Sequence, residues 1–574
     1  MEHGKLNVVL CWHMHQPWYR EGLEGEYILP WVYLHAIKDY SDMAAHLEQH
    51  RSMNAVVNFA PVLLEQLEDY ARQIRDYLTH GMPMQDHLLN QLAGIEPIPA
   101  TDEGRRQLMV ECQRCNGPRM IDPYPAFRQL LAASGAPEIA KNKSGSLLLE
   151  PVYLSEQYFI DLLVWYHLVW LGQSLRQLPE VVRLFEKGRA YSQQDRHDLL
   201  KVMQACMEGL VPRYRALAES GQVELSMSPY MHPIVPLLQD FGQMRCSQPD
   251  DPLPETGLYP GGSERAVWHL QQGIAVFERF FGFRPEGVWL SEGAVSESAL
   301  RLLQASDIRW TASGEGVWRS SCHLSGLDDE GIRSKRDLFR PYQLEPEGVR
   351  LFFRDDGLSD LIGFKYSDWG ASDAAGDFVH HLESITRFMG DEASQRVVPI
   401  ILDGENAWEY YPDNGSHFLS ALYERLSQSP LLAPTHFRTM AAQLPGQHLP
   451  KICAGSWVYG SFSTWIGSPD KNRGWDLLVE AKHCLDRVLA DGQLKPEQHE
   501  KILRQLGVCE GSDWFWWFGD YNPADSVRDF EGLYRRQLGR LYSLLGQTVP
   551  AALSQPVSSG GGAAENAGTM RSNT

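Results

Sequence analysis

Seven short runs of apolar and β-branched residues, most of them separated by helical patterns, constrain this chain more than any other feature. They are Leu6 to Trp12, Ala55 to Phe59, Val223 to Met227, Gly287 to Ser291, Ile308 to Ser313, Val349 to Phe353 and Val397 to Leu402. Runs of this length, bounded by turn residues, read as strands buried on both faces, and strands of that kind pair in parallel through crossover helices. The clearest helix is Ser263 to Phe281: Gly261 and Gly262 precede a Ser N-cap, and Val267, Leu270, Ile274, Phe277 and Phe281 recur at helical spacing. Repeated strand, helix, strand predicts an α/β fold whose parallel sheet closes, or nearly closes, into a barrel over residues 1–415, with long helical excursions in the first three hundred. Beyond that point helical periods dominate, as in Trp475 to Leu489 and Ser526 to Leu545, so 416–550 is expected to be a helical C-terminal region. The Gly/Ser/Ala/Asn-rich stretch 551–574 is expected to be a disordered tail.

Composition narrows the partners. With 43% hydrophobic and 22% charged residues, 574 residues suffice for a large core without staples. A formal charge of −21 and the absence of a long Lys/Arg run argue against nucleic acid or an anionic membrane as partner, and leave an uncharged polysaccharide unopposed. The first residues lack the pattern of a signal peptide, which makes the cytoplasm the expected location. Tyr158 to Gly172 is apolar but contains Asp161 and His167 and falls short of the ~20 residues of a membrane span, so it reads as a buried helix. Nine scattered cysteines suggest reduced thiols, and Cys112 with Cys115 lacks the second pair that a structural zinc needs.

The chemistry concentrates at strand ends. Val397 to Leu402 runs into Asp403-Gly404-Glu405-Asn406-Ala407-Trp408-Glu409, so Asp403 emerges at the carboxyl end, the edge where α/β enzymes build their sites. A sugar-cleaving site needs a second acid on another strand end, and Glu292 in Trp289-Leu290-Ser291-Glu292 supplies it. His13 and His15 fall on one side of the first strand. Hydrogen bonding to a sugar suits them better than zinc, since no third-ligand frame accompanies them. Glu224, flanked by apolar residues in its strand, must be paired or face a polar pocket. Arg354 to Asp360 forms a dense charged patch that could be an ion pair shaping a loop.

His15-Gln16-Pro17, Gly221-Gln222-Val223-Glu224, Trp289-Leu290-Ser291-Glu292, Leu402 to Glu409 and Gly455-Ser456-Trp457 resemble, in order, the five sequence regions of glycoside hydrolase family 57. That family contains α-amylases, amylopullulanases, 4-α-glucanotransferases and α-glucan branching enzymes. The resemblance spans residues 7 to 520, and the fourth region with Gly511 to Trp517 looks most like the α-amylase and amylopullulanase side. It departs at Ser291, where many members carry Pro. The resemblance implies a (β/α)7 distorted TIM-like barrel with a helical C-terminal region, Glu292 as nucleophile and Asp403 as general acid/base. Retention requires their carboxyls roughly 5 to 6 Å apart.

His13, His15, Glu224, Asp355, Glu405 and Trp408 are then candidates for holding the sugar, with Glu405 and Glu409 also raising the pKa of Asp403. Trp457 and Trp465 in the Gly-rich loop 455–474, with Trp475 directly after it, are candidates for closing the pocket. The Trp514 to Phe518 cluster suits a hydrophobic anchor between helical region and barrel, or a further binding platform. The expected activity is retaining hydrolysis of α-1,4-glucans (glycogen, starch, maltodextrin) without cofactor or metal. A 4-α-glucanotransferase or branching enzyme is the alternative within the same chemistry, and a metal-dependent carbohydrate deacetylase or mannosidase using His13 and His15 the alternative outside it.

Overall fold

The computed structural model describes all residues except 1–3, 134–150, 329, 491, 493–494, 563–567 and 574. Six of the seven expected strands form, as β1 (Leu6–Met14), β2 (Ala55–Phe59), β3 (Val223–Met227), β4 (Trp310–Ser313), β6 (Arg350–Phe353) and β7 (Val397–Asp403). Three short strands join them: β5 (Tyr342–Gln343), β8 (Leu432–Pro434) and β9 (Gln447–His448). One sheet runs β3-β2-β1-β7 with β8 on β1, the other β4-β6-β5-β9, and every pairing but β5 with β6 is parallel.

The seventh expected strand, Gly287 to Ser291, is reduced to single bridges. Val288 bridges Met227 and Gly287 bridges Trp310, so this segment joins the two sheets without a ladder of its own. On the far side Asp355 N donates to the carbonyl of Pro399 at 3.0 Å and Arg354 Nε to that of Ile401 at 2.9 Å, linking the end of β6 to β7. Helices cover the outside. Pro61–His80 follows β2 with Pro in its first turn and left-handed Gly81 at its end, the usual start and stop signals. The helix expected from Ser263 begins one residue earlier, at Gly262, behind left-handed Gly261 rather than a Ser cap.

Alternation along the strands sorts side chains into two cores. Val9 and Cys11 on β1, Val56, Trp310, Ala312, Phe352 and Ile401 pack together inside the ring, and Phe437 and Met440 of the helix Phe437–Gln443 join this inner cluster. The complementary positions, such as Val8, Leu10 and Trp12, belong to the larger core under the outer helices. Residues beyond 415 fold largely as helices, including Pro469–Ala490, Pro496–Cys509, Ser512–Trp517 and Ala524–Leu544. Among the described residues no helix is long and apolar enough to cross a membrane, and the helix Glu156–Val169 is buried as expected.

Two expectations need correction. Cys246 and Cys453 are joined in a disulfide with Cα atoms 5.6 Å apart, whereas Cys112 and Cys115 are free. The bridge links the turn Phe241–Cys246 to the chain just before Trp457. The stretch expected to be a disordered tail has described residues that pack: Leu553, Val557 and Met570 are buried, and Ser558 Oγ accepts from Gly519 N at 2.9 Å.

Candidate active site

A polar layer crowns the inner core at the carboxyl ends of the strands. In register, His13 on β1 lies beside Asn58 on β2 and Asp403 on β7, and Asn58 beside Ser226 on β3. Asn58 orients this layer: its Oδ1 meets His13 Nδ1 at 2.7 Å and its Nδ2 donates to Ser226 Oγ at 3.0 Å. After Asp403 the chain turns sharply, with Gly404 N donating to the carbonyl of His13 at 2.7 Å. Only glycine fits there, because a Cβ would lie 2.2 Å from Met14 Sδ.

Glu292 follows the bridging segment on a short turn, Ser291–Gly293, with φ 59° and ψ 23°. A non-glycine residue in this region costs about 1–3 kcal/mol and persists where its surroundings over-determine it. Trp457 does so twice, its Nε1 donating to Glu292 Oε2 at 3.0 Å and its amide to the Glu292 carbonyl at 3.1 Å. His232, also left-handed at φ 57°, places Nδ1 3.9 Å from Glu292 Oε1.

The helical region closes over this layer. Asp513 holds His15 Nε2 through both carboxylate oxygens at 2.9 and 3.0 Å. Ser512 holds His232, Oγ to Nδ1 at 2.9 Å, and its amide donates to the His232 carbonyl at 2.9 Å. The resulting cleft, about 1180 Å³, is lined by His13, His15, Glu292, Asp403, Glu405 and Trp457, with Trp516 and Trp517 from the helical region.

Burial sets the electrostatics. It pushes Glu292 well above the usual carboxylate range, with Asp403 and Asp513 adding repulsion while the Trp457 indole and Arg571 pull it back. Asp403 rises to about 6, again through burial, against the opposing pull of Asn406, which donates to its Oδ2 at 2.9 Å, and of His15 and Arg354. Glu405 is raised by burial and by Asp403, and its Oε2 is buried without a partner. Three crowded carboxyls in one buried site cannot all ionise near neutrality, so protons are stored there. Burial also drives His13 to about 3 and His232 well below its ordinary value, keeping both imidazoles neutral.

His13, His15 and His232 form a group whose ring nitrogens lie within 4.8 Å of one another. Their rings are stacked, with interplanar angles of 16° to 21° and His15 and His232 centroids 3.7 Å apart. A metal bonds imidazole nitrogen in the ring plane at about 2 Å, so the face-to-face rings of His15 and His232 would have to turn before both could ligate one ion. As arranged, the trio is a wall of hydrogen-bonding edges.

Four expected site residues lie elsewhere. Glu224 faces inward but sits at the amino end of β3, where Trp310 Nε1 donates to it at 2.6 Å and Arg438 N at 2.9 Å, so it seals the floor of the inner core. Asp355 caps the short helix Asp356–Asp360, accepting from Leu358 N at 2.8 Å, and lines a neighbouring cavity. Arg354 pairs with Asp356 and Asp360 rather than with Asp355. Trp408 is buried against Trp12 and bonds the Gly404 carbonyl, bracing the turn after Asp403 from beneath. Trp465 is buried, with Trp475 bonded to its carbonyl, so both are packing residues. Sequence reasoning gave no role to His232, Asp513 or Arg571. His232 and Asp513 stand close to matched regions, but nothing local marks them as partners of His15.

A parallel α/β core with a carboxylate pair at its strand ends defines a carbohydrate-active class of enzyme, and the comparisons specify it. The chain matches the model of glycosyl hydrolase family 57 over residues 9–452 and belongs to that family. Its fold is similar to that of a family 57 branching enzyme from Thermococcus kodakaraensis, with a TM-score of 0.56 at 15% identity over 94% of this chain and 90% of that one. It is likewise similar to the α-amylase AmyC from Thermotoga maritima, with a TM-score of 0.56 at 14% identity over 94% and 93% of the two chains. A 4-α-glucanotransferase from Thermococcus litoralis aligns with a TM-score of 0.50 at 13% identity, over 94% of this chain and 60% of the other.

Proposed function

We propose that this protein is a retaining α-glucan hydrolase acting on α-1,4 linkages, with Glu292 as nucleophile and Asp403 as general acid/base. The observation that carries the reading is the pair itself: two acids from separate strand ends, both raised by burial, in one cleft lined by His13 and His15. In the first step Asp403 gives its proton to the departing glycosidic oxygen while Glu292 Oε attacks the anomeric carbon and forms a glycosyl ester. Asp403, now ionised, then takes a proton from water, whose oxygen displaces the ester and returns Glu292 as carboxylate.

The double displacement needs the shared proton on Asp403 and the negative charge on Glu292. Glu292 is raised well above its ordinary range and Asp403 to about 6, so the ordering rests on the substrate. Positive charge developing at the anomeric carbon stabilises ionised Glu292, as do the Trp457 indole and Arg571. The ring edges of His13, His15 and His232 suit sugar hydroxyls, which both donate and accept.

Transfer to a second sugar is the alternative outcome of the same intermediate, and the Trp457, Trp516 and Trp517 rings in the cleft suit an acceptor glucan as well as a donor. Incubation with maltoheptaose, following reducing ends and chain lengths together, tests both. New reducing ends are expected. Redistributed lengths without them would assign transfer, and unchanged maltoheptaose would refute the substrate class.

A further inference from the structure

Part of the cleft wall comes from a segment that none of the sequence motifs covers. Gly568 to Asn573 crosses between Trp516 and Trp457, two aromatic residues of the same cleft. At one end Trp516 Nε1 donates to the Gly568 carbonyl at 2.7 Å. At the other, Asn573 Nδ2 donates to the Trp457 carbonyl at 3.0 Å, its Oδ1 accepts from Tyr459 N at 2.8 Å, and its amide donates to Asp360 Oδ2 at 2.6 Å. The segment thus ties the loop that orients Glu292 to the Arg354–Asp360 pair.

Between these anchors Arg571 lies with its guanidinium 4.7 Å from the Trp516 ring centroid and 4.2 Å from that of Tyr521, and Nη1 donates to Thr464 Oγ1 at 3.3 Å. Its Nη2 is buried and has no partner. An N–H donor kept from water and left unmade is costly, and a stacked, planar guanidinium cannot swing away to find one. The positive charge of Arg571 pulls the Glu292 carboxyl down, and both residues line the same cleft. Asp525 and Asp529 of the cleft are paired with Arg528 and Arg114, whereas Glu292, Asp403 and Glu405 crowd its floor, which disfavours an anion as the missing acceptor and favours a neutral, hydroxyl-rich ligand.

We propose that Gly568–Asn573 is a wall of the sugar cleft and that Arg571 is a substrate-binding residue, donating through Nη2 to a hydroxyl of the α-glucan unit beside Glu292. The inference rests on the α-glucan reading of the site and deepens it. Maltoheptaose is titrated calorimetrically into full-length Glu292→Gln, which preserves the ligand, and into the same chain carrying Arg571→Ala or Arg571→Lys. Loss of one charge-assisted hydrogen bond is expected to weaken binding about tenfold for the alanine variant. Lysine keeps a donor but not the planar stack, so it should bind about two- to fivefold weaker than the parent, and it supplies the comparison should the alanine variant misfold.

Melting temperatures taken alongside separate packing from binding. Equal affinity in all three, with a lower melting temperature for the variants, would overturn the inference and leave Arg571 a packing residue. Tighter binding on loss of Arg571 would overturn it in the other direction, making the segment an obstruction. A Glu292→Gln parent that binds no α-glucan would refute the functional reading itself, and this inference with it.

Discussion

Asp403→Asn should make the protein more stable at neutral pH while abolishing turnover. The Asp403 carboxyl sits at about 6 against an ordinary 3.8, so the folded chain holds this proton more tightly than the unfolded one. A group shifted upward contributes stability in full below its unfolded pKa and loses it as pH rises through the folded value, here between about pH 4 and 6. At pH 7 the difference amounts to at most about 3 kcal/mol of penalty on the folded state. The carboxyl faces a cleft rather than closed core, so about 1–2 kcal/mol is the expected share. Asparagine removes the charge, keeps an oxygen for Asn406, and relieves Glu292 and Glu405, both raised in part by Asp403. Thermal melting of wild type and variant at pH 4 and pH 7 measures this. The melting temperature of the variant should exceed the wild type by about 1–2 °C at pH 7 and match it at pH 4. A variant less stable at pH 7, or a difference that does not change with pH, would refute the claim that burial penalises this charge.

The site makes further predictions. Trp457→Phe removes the indole donor to Glu292 and should lower kcat about ten- to a hundredfold, moving the acid limb of the pH profile upward because Glu292 ionises less readily; an unmoved limb would detach Trp457 from the nucleophile. Activity should decline as pH rises through about 6, as Asp403 loses its proton, and a rate still climbing at pH 8 would contradict Asp403 as the acid. Glu224→Ala strands Trp310 Nε1 and Arg438 N and should cost about 2–5 kcal/mol of stability with KM unchanged, whereas a large rise in KM would return Glu224 to the substrate. Prolonged dialysis against a chelator should leave activity intact, since His15 and His232 lie face to face rather than aimed at one ion; loss restored by zinc would revive the deacetylase or mannosidase alternative.

The strands were legible because buried parallel strands are written as continuous β-branched runs, and β2 and β3 match their expected limits at both ends. Gly287 to Ser291 reads as a strand too but makes only single bridges, because its amides alternate between the two sheets, Val288 N to the carbonyl of Trp310 and Trp289 N to that of Met227. Asp403 and Glu292 stood out because an acid at the end of an apolar run has few structural uses. Glu224 misled for a reason present in the sequence: it is the second residue of β3, hence at the amino end, and strand direction alone places it opposite the site. Trp408 and Trp465 show the limit of composition, because a tryptophan beside a motif packs beneath it as readily as it faces a ligand. His232, Asp513 and Arg571 were not legible together, since the contacts joining them to His15 and Glu292 bridge from 60 to nearly 500 residues.

The central claim is that Glu292 becomes covalently bound to the sugar, and azide rescue tests it most directly. With Glu292→Gly and an activated α-glucoside, azide should occupy the face vacated by the carboxylate and restore turnover, giving the β-glycosyl azide. With Asp403→Gly, azide should instead intercept the glycosyl-enzyme and give the α-glycosyl azide. A Glu292→Gly enzyme that needs no rescue, or that yields the α-azide, would contradict the assignment of Glu292 as nucleophile.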